Sequence, residues 1–253
     1  WAKICETKFS VAVSSGGAAL EVIMKGLNLK NKEVIVPSNT FLATSNAVHV
    51  AGGTPILADV SLNDMNLDLE NIKQNTTEKT KAVCIVHVGG IISKEIEEIA
   101  KYCEVNDLYL IEDAAHGHGS SLNNKKPGNF GVAAAYSFTA TKTFTSGEGG
   151  MIVCNDKDLD LRFRKLRDYG KKSQWESLYT DLSSNYRMSN ITASIGISHI
   201  SEFKNFLKRR TEIAEVYTKK LSNEFKKIIP EKNSTSSWYK YVVILPDNIE
   251  KDL

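Results

Sequence analysis

Through its first 170 residues the chain alternates short apolar runs with stretches of helical periodicity, and that alternation limits the fold more than any other feature. The runs Glu33–Pro37 (EVIVP), Pro55–Val60 (PILADV), Ala82–Val88 (AVCIVHV), Leu108–Asp113 (LYLIED), Ala133–Phe138 (AAAYSF) and Met151–Asn155 (MIVCN) have the length of strands. Several are apolar throughout and do not alternate, which a sheet covered on both faces requires. Helical patterns lie between them. Gly16–Leu27 follows two serines that can cap its first turn. Phe41–Ala51, Leu69–Asn75 and Ser93–Val105 follow, the last with Ile96, Ile99, Ala100 and Cys103 at helical spacing. Strand, helix, strand in repetition predicts a doubly wound α/β layer sandwich with a mostly parallel sheet.

From Lys157 the texture changes. Asp158–Tyr169 reads as a charged amphipathic helix, Lys171–Leu182 as a polar loop, and Ile191–Phe225 as a long helical stretch with room for one break. Trp238–Leu245 (WYKYVVIL) reads as a strand opening a second unit. The expected division is therefore a large domain over 1–225, including the long linking helix, and the start of a small domain over 226–253. The chain opens at Trp1 without a methionine, so its N-terminus is expected to be incomplete.

Charge narrows the partners. The 32 basic and 30 acidic residues are scattered and leave a net charge of +2, so no basic face is offered to nucleic acid or an anionic membrane. No apolar run reaches the ~18 residues of a membrane-spanning helix. Cys5, Cys84, Cys103 and Cys154 form no metal-ligand spacing and read as free thiols of a reducing, cytoplasmic compartment.

In an open α/β sheet ligands bind at the carboxyl ends of the strands. That rule selects Ser14–Ala19, the Pro37–Phe41 turn, Asp113–His118 and Ser137–Lys142. The first, S-S-G-G-A-A-L, runs into a helix whose free N–H groups suit an anion, although a glycine-rich helix start without a ligand reads the same way. Asp113, in I-E-D-A-A-H-G-H-G, should emerge at the mouth of the sheet, where a buried carboxylate needs a cation or several donors. Its plainer role is to cap the next helix. His116 and His118 make poor zinc spacing with it. Lys142 stands alone in S-F-T-A-T-K-T-F-T-S-G-E-G-G. A P-loop is excluded, because the two glycine positions hold Thr141 and Tyr136. A poorly solvated lysine with few cations nearby should have a lowered pKa and serve as a nucleophile. Lysine for an imine, carboxylate for a pyridinium nitrogen and N–H groups for a phosphate together match pyridoxal phosphate. Other residues read more plainly: His49 and His87 as core histidines, Trp238 and Tyr239 as strand packing, Glu148 as a turn former. Arg187 suits a substrate phosphate or a partner chain equally.

Read together, these phrases resemble the DegT/DnrJ/EryC1/StrS sugar aminotransferases, within the fold type I pyridoxal phosphate enzymes. The resemblance runs in order through V-A-V-S-S-G-G-A-A-L, E-V-I-V-P-S-N-T-F-L-A-T-S-N-A-V, T-K-A-V-C-I-V-H-V-G-G, I-E-D-A-A-H-G-H-G, the Lys142 stretch and N-Y-R-M-S-N-I-T-A-S-I. It implies a three-layer α/β/α large domain and the start of a small α+β domain. It also implies that Lys142 forms the imine with the cofactor, Ser137 binds its phosphate, and Asp113 pairs with the ring nitrogen. By the same resemblance His116 lies near the ring hydroxyl, Phe41 stacks on the ring, and the N–H groups of Gly17 and Ala18 hold the phosphate. Relatives usually carry threonine at the Gly17 position. Asn185 would reach the phosphate of the neighbouring subunit, so a homodimer is implied. The implied reaction moves an amino group, with glutamate as the expected donor, to a keto sugar, expected to be nucleotide-linked, for amino-sugar or surface-polysaccharide biosynthesis. A lyase or dehydratase on the same fold, or a non-catalytic relative, are the alternatives. The presence of lysine at 142 favours transamination over sugar dehydration.

Overall fold

The structure is a computed structural model that describes residues 1–172 and 178–246. Part of the polar loop expected over Lys171–Leu182, and the last seven residues of the expected small domain, lie outside the described residues. The strands are β1 (Phe9–Val13), β2 (Glu33–Pro37), β3 (Thr54–Ala58), β4 (Thr80–Val86), β5 (Tyr109–Asp113), β6 (Ser121–Leu122), β7 (Ala133–Ser137), β8 (Gly150–Cys154), β9 (Lys226–Ile228), β10 (Ser234–Thr235) and β11 (Val242–Ile244). The helices are α1 (Ala2–Cys5), α2 (Gly16–Gly26), α3 (Ala43–Val50), α4 (Leu69–Asn75), α5 (Ile96–Val105), α6 (Lys157–Arg167), α7 (Asn190–Ile200) and α8 (Phe203–Lys220).

Seven strands form one sheet in the order β1-β8-β7-β5-β4-β2-β3. β2, β3, β4, β5 and β7 pair in parallel, and β8 runs against both of its neighbours. Alternate residues of the apolar strands serve opposite faces. Val34, Val36, Ala82, Cys84 and Ile111 pack with α2, α3 and α6, while Ile35, Val83, Ile85 and Leu110 pack with α4 and α5. This division is why the strands read as continuous apolar runs. A third cluster, centred on Tyr136, Phe138, Phe144 and Phe203, closes the far end beside α1 and α8. All four cysteines are free and buried. No helix among the described residues is long and apolar enough to cross a membrane.

Several expectations need correction. β1 was not among the strand runs picked out above, although F-S-V-A-V matches them in length and apolar content. The helical stretch over 191–225 has the one break allowed for, at Ser201-Glu202 between α7 and α8, but ends at Lys220, short of Phe225. The strand expected over Trp238–Leu245 shrinks to β11, which pairs with β9, because Trp238 takes a left-handed turn (φ 47°). β10 pairs with β6, stitching the segment after 225 to the chain that follows β5. His49 is exposed on α3 and is no core residue.

His87 is fully buried, and its Nε2 lies 3.0 Å from the Glu112 carboxylate. The other carboxylate oxygen of Glu112 accepts the N–H groups of Gly128, Phe130 and Gly131 at 2.8–3.0 Å. A buried carboxylate satisfied this fully is a structural cross-link between β4, β5 and the turn before β7.

Candidate active site

β1, β5 and β7 all point their carboxyl ends to the same edge of the sheet, and each delivers one of the expected groups there. α2 starts directly after β1. Ser15 caps it, its Oγ accepting the Ala18 N–H at 3.0 Å. That hydrogen bond corrects the expectation for Ala18: its N–H is taken by the cap. Gly17 remains, joined by Gly16, and among the described residues no acceptor takes either N–H. Gly16 is pressed against the end of β7: a Cβ placed on it would lie 2.6 Å from the Ser137 Cβ. Glycine at 16 therefore lets the helix N-terminus and the Ser137 hydroxyl sit side by side. Positive helix dipole, two free N–H groups and a hydroxyl form an anion cradle.

Asp113 ends β5 and is 5% exposed. Its Oδ2 accepts the Thr44 hydroxyl at 2.8 Å and its Oδ1 the Ala115 N–H at 3.1 Å. Burial pushes its carboxyl above the usual range, while those two hydrogen bonds and the Lys142 charge pull the other way. The contrast with adjacent Glu112 is instructive. Strand alternation sends the two carboxylates to opposite faces, and only Glu112 is fully satisfied by the protein. Asp113 keeps acceptor capacity for a cationic group at the mouth of the sheet. Thr44, which positions it, lies one helical turn past Phe41 and was not picked out from the sequence.

Lys142 lies in the turn after β7, half-buried, with no carboxylate partner among the described residues. Its Nζ stands 4.4 Å from the centre of the Tyr239 ring. The same ring lies 4.3 Å from that of His116 and its hydroxyl is 3.3 Å from Thr141 Oγ1. Tyr239 is thus a wall of the site, not strand packing. Lys240 Nζ also lies near that ring, 5.9 Å from its centre. His116 is pushed down to about 3, by burial first and the Lys142 charge second, so it is neutral and its Nδ1 accepts the Gly89 N–H at 3.3 Å. His118 turns away: its Nε2 is 2.8 Å from the Ser137 carbonyl and its ring packs on Trp1 and Tyr136.

Phe41 is 79% exposed between β2 and α3, its ring uncovered. Asn185 is exposed, and its Oδ1 accepts the Arg187 N–H. Arg187 pairs with Asp168 and lies 5.5 Å over Tyr169. Glu148 accepts the Thr139 hydroxyl, in keeping with a turn former.

These residues fit pyridoxal phosphate as a set: an anion cradle, a buried carboxylate with acceptor capacity to spare and a lysine without an anionic partner among the described residues meet at one edge of the sheet.

Known proteins give an independent view. The model of the DegT/DnrJ/EryC1/StrS aminotransferase family matches residues 1–252. A GDP-perosamine synthase of Vibrio cholerae is 33% identical over 96% of this chain and 67% of its own. A dTDP-3-amino-3,6-dideoxy-alpha-D-galactopyranose transaminase of Aneurinibacillus thermoaerophilus is 34% identical over 89% and 62%. The crystal structure of S. venezuelae DesV in complex with a ketimine intermediate superposes with a TM-score of 0.91 at 27% identity, covering 98% of this chain and 67% of that one. The chain thus spans about two thirds of the length of the relatives it matches. Its sequence, its sheet and the groups gathered at the sheet's edge agree: the chain belongs to the DegT/DnrJ/EryC1/StrS aminotransferase family.

Proposed function

We propose that the protein is a pyridoxal-phosphate-dependent aminotransferase that moves an amino group, with glutamate as donor, to a keto sugar carried on a nucleotide, for amino-sugar biosynthesis. The observation that carries this reading is the meeting of Lys142, Asp113 and the Gly16–Gly17–Ser137 cradle at one sheet edge in a member of an aminotransferase family. The relatives named for GDP-, dTDP- and UDP-linked amino sugars support a nucleotide-linked acceptor.

Pyridoxal phosphate, when bound, supplies an electron-withdrawing ring that stabilises the charge left as a proton departs the amino donor. The protein's own groups do the rest. The cradle would bind the phosphate, Asp113 would hold a proton on the ring nitrogen, and Lys142 Nζ would anchor the cofactor and, when free, carry the transferred proton. Neutral His116 can offer only an uncharged imidazole to the ring's oxygen side. Phe41, exposed beside the site, is suited to cover a flat ring.

A homodimer accompanies this reading. α7 exposes Ile191, Ile195, Ile197 and Ile200, and Phe41 and Leu42 add to the uncovered apolar surface near the site. Asn185 and Arg187 lie on the chain entering α7, so a partner covering that helix could receive them.

Screening keto nucleotide sugars against the glutamate-aminated protein tests the function. Amination of at least one is expected. Failure of glutamate to convert the cofactor to its amine form would overturn the reading and favour a lyase or a non-catalytic relative.

The cradle makes its own prediction. Gly16→Ala forces Ser137 to move, a strain of about 1–3 kcal/mol, and is expected to weaken cofactor binding about tenfold or more. At Gly17 an added Cβ meets only ordinary contacts, Ser15 Oγ at 3.7 Å and Ala43 Cβ at 3.8 Å, so Gly17→Thr starts from an open position. It adds a hydroxyl and is expected to tighten binding by about fivefold, one hydrogen bond's worth. Fluorescence titration of the cofactor-free protein checks both.

A further inference from the structure

Residues 236–240 have no part in the chemistry described so far, yet they are fastened into the mouth of the sheet. Ser236 and Ser237 are buried. The Ser237 N–H donates to Ser120 Oγ at 3.1 Å, and Ser120 Oγ donates in turn to the Gly90 carbonyl at 2.6 Å. Ser237 Oγ donates to the His116 carbonyl. The Lys240 N–H donates to the Gly89 carbonyl at 3.3 Å. Gly90 (φ 97°) has no side chain, and any Cβ there would collide with Ser237.

Between these anchors Trp238 adopts φ 47°, a left-handed conformation that is costly for a bulky residue. Arg210 holds the turn from α8, donating to the Trp238 carbonyl at 3.0 Å. The turn separates the two aromatic side chains. Trp238 stacks on Tyr241, while Tyr239 enters the active site. There its N–H donates to Ser237 Oγ at 3.2 Å, its hydroxyl meets Thr141, and its face meets Nζ of Lys142. Thr141 immediately precedes Lys142, so the ring is tied to the backbone of the lysine it faces.

We infer that Tyr239 is a positioning residue for Lys142: its ring face receives the lysine ammonium, and its hydroxyl, tied to Thr141, fixes where that ammonium rests whenever the side chain is free. The inference rests on the reading of Lys142 given above. An ammonium over an aromatic face is stabilised relative to the neutral amine. The other groups that act on Lys142 are Asp113 at the end of β5, His116 and His118 in the turn after it, and Lys240. Both histidines are held neutral, and the Tyr239 phenol, though partly buried, is drawn below its usual range by its hydrogen bond with Thr141 and by Lys142.

The test is trace labelling of the cofactor-free protein with acetic anhydride across pH 7–11, reading each lysine by peptide mass spectrometry with the surface lysines as internal standards. Tyr239→Leu is expected to lower the Lys142 labelling midpoint by about 0.4–0.7 units, and Tyr239→Phe, which keeps the ring face and loses the hydroxyl that meets Thr141, to lower it by less. Pentafluorophenylalanine at position 239 keeps the ring's shape but reverses the charge on its face, so it should lower the midpoint as leucine does. A merely structural ring would not distinguish it from phenylalanine. An unchanged midpoint in the leucine variant, or equal midpoints for the two phenylalanine rings, overturns the inference. Because labelling uses neither cofactor nor substrate, it can fail while the aminotransferase reading stands, and the reverse.

Discussion

Lys142→Ala is expected to slow amino transfer by about 10⁴-fold, the upper end of what one positioned proton-transfer group supplies, because the same side chain also attaches the cofactor. The loss should come with an intact fold. Lys142 has no carboxylate partner among the described residues, and the Tyr239 face is its main neighbour. A partly exposed contact of that kind is worth about 0.5–1 kcal/mol, so urea unfolding should shift by no more than that. Single-turnover transfer and urea melts, measured on the same preparation, separate the two effects. A variant that kept its activity would remove Lys142 from the chemistry, and one that failed to fold would make it a structural residue.

Asp113→Asn is expected to move activity and stability in opposite directions. Asparagine can still accept the Thr44 hydroxyl, but it cannot hold a proton on the ring nitrogen by charge. Turnover should fall about 10²–10³-fold, the loss typical of one preorganised electrostatic group. Stability responds through burial. The Asp113 carboxyl titrates above its ordinary value of 3.8 in the folded protein. Below that ordinary value it is protonated in both folded and unfolded chains and costs nothing. As pH rises through the folded value the folded chain must ionise a buried group, and stability is lost. At neutral pH the cofactor-free Asp113→Asn protein should therefore melt higher than the wild type, and the gap should narrow toward pH 4. Thermal melts of the cofactor-free proteins at several pH values check this. A variant that melts lower at pH 7 would mean that the Asp113 charge stabilises the fold.

The sheet was legible because its strands are buried on both faces, so E-V-I-V-P and A-V-C-I-V stand out from the amphipathic helices between them. β1 was not picked out, although F-S-V-A-V is as apolar as E-V-I-V-P, because its last residues run straight into the S-S-G-G helix start. At the site, Asp113 and Lys142 could be found from their position after apolar strands. What the sequence could not show was which groups meet across long separations. Glu112 and Asp113 are adjacent and chemically alike, and only the turn at 128–131 decides that the first is locked into the fold while the second, held by Thr44 and Ala115, stands at the mouth of the sheet. Tyr239 lies 98 residues beyond Thr141 and reaches the site only because Trp238 turns left-handed and two buried serines pin the segment. Ala18 was misread for a local reason: the serine that caps its helix is also the group that takes its N–H.

The central claim is that Lys142 attaches pyridoxal phosphate. Incubating the protein with the cofactor, reducing with borohydride and mapping the labelled peptide by mass spectrometry tests it without knowledge of the sugar. Lys240, on the same tyrosine ring, is a built-in competitor. The account predicts one cofactor per chain, on Lys142. Label on Lys240, or label spread over surface lysines, would contradict it.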